Sequence, residues 1–196
     1  EQLNLDIARL ISYDKEQLEA FAGIFSEYDQ LNSIQVTDIV NHYQQCGMVS
    51  RLEILMPDNT LLLQNGTRIE AGEATDFETE AAKGAYLTPI QPGTINPDKR
   101  VLRNIVPIVK DGEVTGMLHG VIDLDGLQNV WNMNVYGTRA DIYIIERNSG
   151  EYIVNTSSKE LGNVSQIDNN KILKRSSNDS LERQIKKGKK GYAVFS

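Results

Sequence analysis

Arg100-Val-Leu-Arg-Asn-Ile-Val-Pro-Ile-Val-Lys110, Asp111-Gly112, Glu113-Val-Thr-Gly-Met-Leu-His-Gly-Val-Ile-Asp123 is the stretch that decides the fold. Two long runs rich in Val, Ile and Leu flank a two-residue Asp-Gly. That pair is a hairpin signal, because the favoured two-residue turn needs positive φ at both central positions. The spacing predicts one antiparallel ribbon, Arg100–Lys110 against Glu113–Asp123. Pro107 has no N–H to give to a ladder, so it is expected at an edge or a bulge.

Upstream, Arg51–Met56 alternates, with Leu52, Ile54 and Met56 on one side. Pro57-Asp58-Asn59 reads as a turn, Thr60–Gln64 as the partner strand and Asn65-Gly66 as another turn. Residues 66–84 are polar, with a short helix expected over Asp76–Lys83. Ala85–Gln91 reads as a short strand and Pro92–Asp98 as a loop. At the start, Ile7, Leu10 and Ile11, then Leu18, Phe21, Phe25 and Tyr28, recur at spacings of three and four, which predicts a long amphipathic helix over 1–31. Its seam suits packing on its own domain or pairing with a second copy. Gly23 weakens the helix without ending it. Ser33 is the expected N-cap of a second helix carrying Val36, Ile39, Val40 and Tyr43, and Gly47 its expected C-terminal stop.

Downstream, Asp123 or Asp125 is expected to cap a helix containing Leu127, Val130 and Trp131. Asp141–Glu146 and Glu151–Asn155 read as strands around Asn148-Ser149-Gly150. Residues 156–180 read as loop with short helical pieces, Leu181–Lys187 as helix and Gly191–Phe195 as strand. The later set opens like the earlier one but stops before a long hairpin. Helix, strand pair, helical segment, strand and hairpin describe an α+β architecture: an antiparallel sheet of about five strands with helices on one face. Segments between the second and third strands are placed to cross the other face and leave a cavity, as in PAS-like modules.

Composition narrows the function. The formal net charge is −7 and the pI about 4.9, a balance that repels phosphate backbones and argues against nucleic acid. One cysteine, Cys46, excludes an internal disulfide and a CxxC zinc site. No apolar run approaches the ~18 residues of a membrane span. The sequence opens within a helical pattern, without Met, and closes on a strand pattern, so both ends read as cut points in a longer polypeptide. There is no GxSxG, no HExxH and no phosphate-cradling glycine loop, which argues against an enzyme; a carboxylate-pair hydrolase remains open.

Val106-Pro-Ile-Val109, Lys110-Asp-Gly112, Val114-Thr-Gly116 and Gly120-Val-Ile-Asp123 resemble the hairpin of the Cache (PDC) family of bacterial extracytoplasmic sensor domains. Arg51–Asn59 resembles the first strand pair of the membrane-distal module. Ile142–Ile145, Asn148–Tyr152 and Leu161-Gly162 resemble the opening of the proximal module, and Lys190–Phe195 its next strand. The resemblance, in the family's double form, spans nearly the whole chain. It implies a stalk helix and second helix over 1–44, a membrane-distal PAS-like module over 45–135 and a short or truncated proximal one over 136–196. It further implies a periplasmic or cell-surface sensor flanked by transmembrane helices. The output is a diguanylate cyclase, histidine kinase or chemoreceptor module, the first being nearest in style, and no cofactor is implied. The amino-acid-binding branch carries Arg beside Trp-Tyr before its third strand; here Pro97-Asp-Lys-Arg-Val-Leu-Arg103 has no Trp-Tyr, so an amino-acid ligand is less expected and carboxylates and amines stay open.

The candidate ligand contacts are Tyr86, Thr88, Arg100, Arg103, His119 and Asp123. Asp123 matches the acidic position that meets ligand amines in some relatives, or else caps a helix. Arg103 shares a face with Val101 and Ile105 and suits a carboxylate, or else is paired internally. Tyr86 and Thr88 share a face of the third strand. His119 is a ligand contact or a satisfied sheet histidine. His42 and Cys46, four apart on the second helix, are read as a chance pair, and Asp123-Leu-Asp125-Gly126 departs from a calcium loop because its glycine comes too early. The run Arg183, Lys186, Lys187, Lys189, Lys190 is a solvated helix face or a membrane-facing patch. The competing function is a pocketless dimerisation domain that answers to a partner protein.

Overall fold

The computed structural model describes residues 2–72, 75–125, 127, 143–155, 162–166, 172–175, 179–189 and 193–195. The chain divides into two compact units, Glu1–Asp123 and Leu124–Ser196.

The first unit opens with α1 (Gln2–Ser26), continuous through Gly23, and α2 (Ile34–His42). Ser33 caps α2, its hydroxyl accepting the Val36 N–H at 3.4 Å. α2 ends at His42 with Tyr43 as its C-cap. Gly47 is therefore not its stop; it sits with φ +64 in the next turn. Cys46 also lies off the helix, so it does not share a helical face with His42. The His42 ring bonds the Asp38 carbonyl at 2.8 Å.

The sheet follows: β1 (Arg51–Leu55), β2 (Thr60–Leu62), β3 (Arg68–Glu70), β4 (Tyr86–Leu87), β5 (Gln91–Pro92), β6 (Arg100–Lys110) and β7 (Glu113–Asp123). Its order is β3-β2-β1-β7-β6-β4, with β5 also on β6, so it has seven strands and not five. The extra ones are short: β3 offers a single apolar residue, Ile69, in a polar stretch, and the expected 85–91 strand is broken into β4 and β5. The ribbon β6–β7 runs in register from Val101↔Asp123 to Lys110↔Glu113, with an irregularity at Ile108/Val109. Asp111 and Gly112 turn it with φ of 53 and 89. Pro107 lies next to that irregularity, beyond the residues of β6 that β4 pairs.

Two layers cover the sheet. On its back, α1 buries Leu18, Ala22 and Phe25, and close approach is possible because Gly120 has no side chain. A Cβ there would come within 2.6 Å of Leu18 Cδ1 and 3.1 Å of Val49 Cγ2. The seam of α1 also buries Asp14, 1% exposed, whose two carboxylate oxygens accept the Met48 N–H at 3.2 Å each. On the front lies α3 (Phe77–Lys83), started by Asp76, which accepts the Thr79 N–H at 2.9 Å. Phe77 and Ala81 pack on a cluster of Leu55, Leu61, Leu63, Ile105 and Met117.

The second unit holds two strand pairs: β8 (Tyr143–Ile145) with β9 (Tyr152–Asn155), and β10 (Ile172–Arg175) with β11 (Ala193–Phe195). β8 and β9 join through a turn in which Gly150 has φ +77. A 3-10 turn, Val164–Gln166, buries Val164. Helix α4 (Leu181–Lys186) is capped by Ser180. β10 forms where the sequence predicts loop, since its only apolar residues are Ile172 and Leu173. The basic face of α4 is partnered: Lys186 with Glu182 at 2.9 Å, and Arg183 and Lys187 each with Asp179 at 3.7 Å. The helix expected to carry Leu127, Val130 and Trp131 falls largely outside the described residues. Together the long helix and antiparallel sheets make an α+β, PAS-like fold. Among the described residues no helix is long and apolar enough to cross a membrane.

Candidate ligand-binding face of the sheet

Alternation sends the odd-numbered residues of β1, of β6 up to Pro107 and of β7 from Met117 onward to the front; past the irregularity at Ile108/Val109 the numbering shifts, and Val114 packs on the front. Register then builds two rows. Glu53 of β1 stands opposite His119 of β7, His119 opposite Ile105 of β6, and Ile105 opposite Tyr86 of β4. One step along, Arg51 faces Val121 and Val121 faces Arg103. Half of the front is therefore the apolar cluster under α3, and the other half is polar and buried.

That polar half is a network. Glu53 is 0% exposed and Arg103 5%. Arg51 Nε donates to Glu53 Oε1 at 3.1 Å, Thr94 Oγ1 donates to Glu53 Oε2 at 3.3 Å, and Arg103 Nε lies 3.8 Å from the same oxygen. Arg103 Nη2 donates to Thr94 Oγ1 at 2.5 Å and to the Pro92 carbonyl at 3.5 Å. Burial pulls the Arg103 guanidinium below its ordinary value, and Glu53 chiefly opposes it. A buried carboxylate between two guanidinium groups is the arrangement that makes such charges tolerable.

Beside it, His119, 1% exposed, bonds through Nε2 to Glu80 Oε2 of α3 at 2.7 Å. Nδ1 of the same ring is buried with no hydrogen-bond partner among the described residues. The Tyr86 ring is half-buried, with Lys83 Nζ 5.2 Å from its centroid. Burial first, and then the Glu80 charge, raise the Tyr86 hydroxyl above its ordinary value.

The six sequence candidates separate as follows. Arg103, His119 and Tyr86 meet on the front with Glu80 and Glu53. Thr88 is buried beside them, but its hydroxyl accepts the Arg103 N–H at 2.9 Å and its own N–H donates to the Arg103 carbonyl at 2.9 Å, extending the strand edge. Asp123 ends β7 on the same face as His119, half-buried and opposite Val101. Arg100, three residues from Arg103, falls on the back and pairs in register with Pro92. Leu124 and Asp125 are helical directly after Asp123.

Sequence reasoning missed Glu53, Arg51, Glu80 and Thr94. For Glu53 there was a signal. It is a charged residue inside Leu52-Glu53-Ile54-Leu55, where alternation alone assigns it to solvent. In fact α3 and the 92–99 loop cover that side.

No protein-family model matches the chain, and no curated protein matches it. Solved structures do. The ligand-binding domain of the Campylobacter jejuni chemoreceptor Tlp3, in complex with 4-methylisoleucine, superposes with a TM-score of 0.61 at 18% identity, over 86% of this chain and 69% of that one. The ligand-binding domain of Mlp24, solved with asparagine, gives 0.58 at 14% identity, over 88% and 76%. The chain has the fold of Cache-type sensory domains. The extracellular domain of the putative histidine kinase mmHK1S-Z2 shares it, with a TM-score of 0.51 at 14% identity, over 81% of this chain and 73% of that one. The chain spans about two thirds of the length of the Tlp3 sensory domain, 66% where isoleucine is bound. The Cache resemblance read from the 106–123 hairpin thus agrees with the fold.

Proposed function

We propose that this chain is the extracytoplasmic small-molecule sensor of a transmembrane signalling receptor, with the ligand held on the front of the first unit's sheet. The observation that carries the reading is the buried polar network of Arg51, Glu53, Arg103, His119 and Glu80. It lies beside an apolar cluster on a sheet face covered by one short helix and a loop. Buried charges cost stability even when paired, so keeping five such groups on one face suits a part in fold specificity or in holding a ligand. The sensory domains that share this fold are described with isoleucine, 4-methylisoleucine or asparagine bound, which supports a guest of similar size. Arg103, His119 and Tyr86 are the proposed contacts, with Asp123 at the rim; Thr88 supports Arg103 through the strand edge, and Arg100, on the other face, is left out of the proposed contacts. Flanking membrane helices and a cytoplasmic output, such as a diguanylate cyclase or histidine kinase, would complete the receptor. The chain itself is proposed to bind and not to catalyse.

A ligand that prefers one arrangement of α3 and the sheet would bias a two-state receptor by its difference in affinity for the two states. A thermal-shift screen of amino acids, carboxylates, amines and purines tests this. Binding at 100 times Kd raises stability by about 2.7 kcal/mol, so a hit moves the melt by several degrees. A second reading, a pocketless domain that transmits a partner protein's signal, is favoured by one observation. Leu55, Leu61, Leu63, Ile105 and Met117 fill the neighbouring half of the same face. A melt unmoved by the whole panel, together with dimerisation in sedimentation, would select that alternative.

A further inference from the structure

We infer that Glu80, His119 and Tyr86 form a subsite for an organic ammonium group, so that the ligand is an amine recognised without a carboxylate. The inference rests on the sensor reading above and names its ligand class.

The first step is an inventory of donors and acceptors. Arg103, the guanidinium that the sequence offers for a carboxylate, is engaged through two of its nitrogens. Arg103 Nε faces Glu53, and its Nη2 donates to Thr94 and the Pro92 carbonyl. The partner of both guanidinium groups, Glu53, is fully buried. A ligand carboxylate that captured Arg103 would strip Glu53 of a cation in a dry environment, where an uncompensated charge is costly.

The neighbouring end has the opposite character. A carboxylate offers several acceptor sites, of which His119 Nε2 takes one on Glu80. Nδ1 of the same ring is buried and unpartnered among the described residues; with the ring proton assigned to Nε2, facing Glu80, Nδ1 is an acceptor. Here the spare capacity is for acceptance, and a guest must bring N–H donors. The third wall is aromatic. The Tyr86 ring already has one ammonium, Lys83 Nζ, 5.2 Å from its centroid, and it stands in the same cross-strand row as His119, separated only by Ile105. Carboxylate, imidazole lone pair and aromatic face are the groups that recognise ammonium. Lys83 already sets one ammonium over that ring.

The test uses matched triads that differ only in the polar group: phenethylamine, 2-phenylethanol and 3-phenylpropionate, and 1,4-diaminobutane, 1,4-butanediol and butanedioate. The readout is the imidazole 15N resonances of the intact chain. The sequence has two histidines, so His42 serves as the internal control. The amines are expected to move His119 Nδ1 along a saturable curve while His42 stays still; the alcohols and carboxylates leave both unchanged. Glu80→Gln should weaken the amine by on the order of tenfold or more, as loss of a hydrogen bond to a charged group does. Should that variant unfold, the amine–alcohol contrast in the native chain decides alone. If carboxylates or amino acids bind while the decarboxylated amines do not, the ammonium subsite is wrong and the sensor reading stands. If no member of these triads or of the wider screen binds, the sensor reading itself falls. An amine whose affinity is unchanged by Glu80→Gln overturns the subsite.

Discussion

Glu53 and His119 stand directly opposite each other across β1 and β7, both buried, yet they are bonded to different partners. Glu53 turns to Arg51, Arg103 and Thr94, and His119 turns to Glu80 on α3. The first set ties the sheet to the 92–99 loop. The second ties the sheet to its covering helix. The two halves of the polar face therefore answer to different substitutions.

Glu53→Gln removes the anion between two guanidinium groups and leaves the buried Arg103 without its main counter-charge. Breaking a buried pair from one side costs about 3–5 kcal/mol. Urea denaturation of the variant should show a loss of that size with the slope unchanged; a loss below about 1 kcal/mol would mean that the pair is hydrated.

Lys110 and Asp29 are the control. They form an ion pair, but Asp29 is 94% exposed, so solvent screens it. Lys110→Met should leave the melt nearly where it is in the parent, and raising the salt concentration should leave the native melt nearly unchanged. A large effect would show that the loop after α1 is held in place by this pair.

Asp14 gives the pH dependence. Burial pushes its carboxyl up to about 6 from the ordinary 3.8, with the Met48 N–H pulling the other way. Tyr13, Tyr43 and Cys46 lie around it, and burial pushes Tyr43 up to about 12. Because the folded carboxyl holds its proton more tightly than the unfolded one, the folded state binds more protons between about pH 4 and 6. Stability from this group is then present below pH 4 and is lost as pH rises through 6. Asp14→Asn keeps an acceptor for Met48 and removes the charge. The variant should melt several degrees above the parent at pH 7.5, with the gap closing at pH 4. A constant gap across that range would contradict the assignment.

Gly120→Ala tests the contact of α1 with the sheet. The new Cβ meets Leu18 Cδ1 at 2.6 Å and Cδ2 at 2.8 Å, and overpacking of this kind costs about 1–3 kcal/mol. Leu18→Ala on the same chain should recover part of the loss caused by the alanine at 120, a positive coupling in a double-mutant cycle. Additive losses would place α1 farther from β7.

The ribbon was legible almost residue by residue, because β-branched runs around Asp111-Gly112 combine strand preference with the one dipeptide class that suits a two-residue turn. Ser33 and the 76–83 helix were legible for the same reason: local hydrogen-bond chemistry fixes them. β3 and β10 were not, because strands with one or two apolar residues owe their pairing to a neighbour and not to their own pattern. Arg103, His119 and Tyr86 could be placed on one face by counting in twos. Their partners could not. Whether Glu53 meets solvent or Arg103 depends on what covers the sheet, and Glu80 reaches His119 from a helix thirty-nine residues away in sequence. Alternation assigns a face but does not say whether that face is wet.

The most direct measurement is an amide chemical-shift map of the chain titrated to saturation with a ligand from the screen. The account predicts that the perturbed amides cluster on one face of the first unit, at Glu53, Glu80, Tyr86, Arg103 and His119, with α3 moving as a block. Perturbations confined to the 143–195 strands, or scattered over the exposed side of α1, would contradict it.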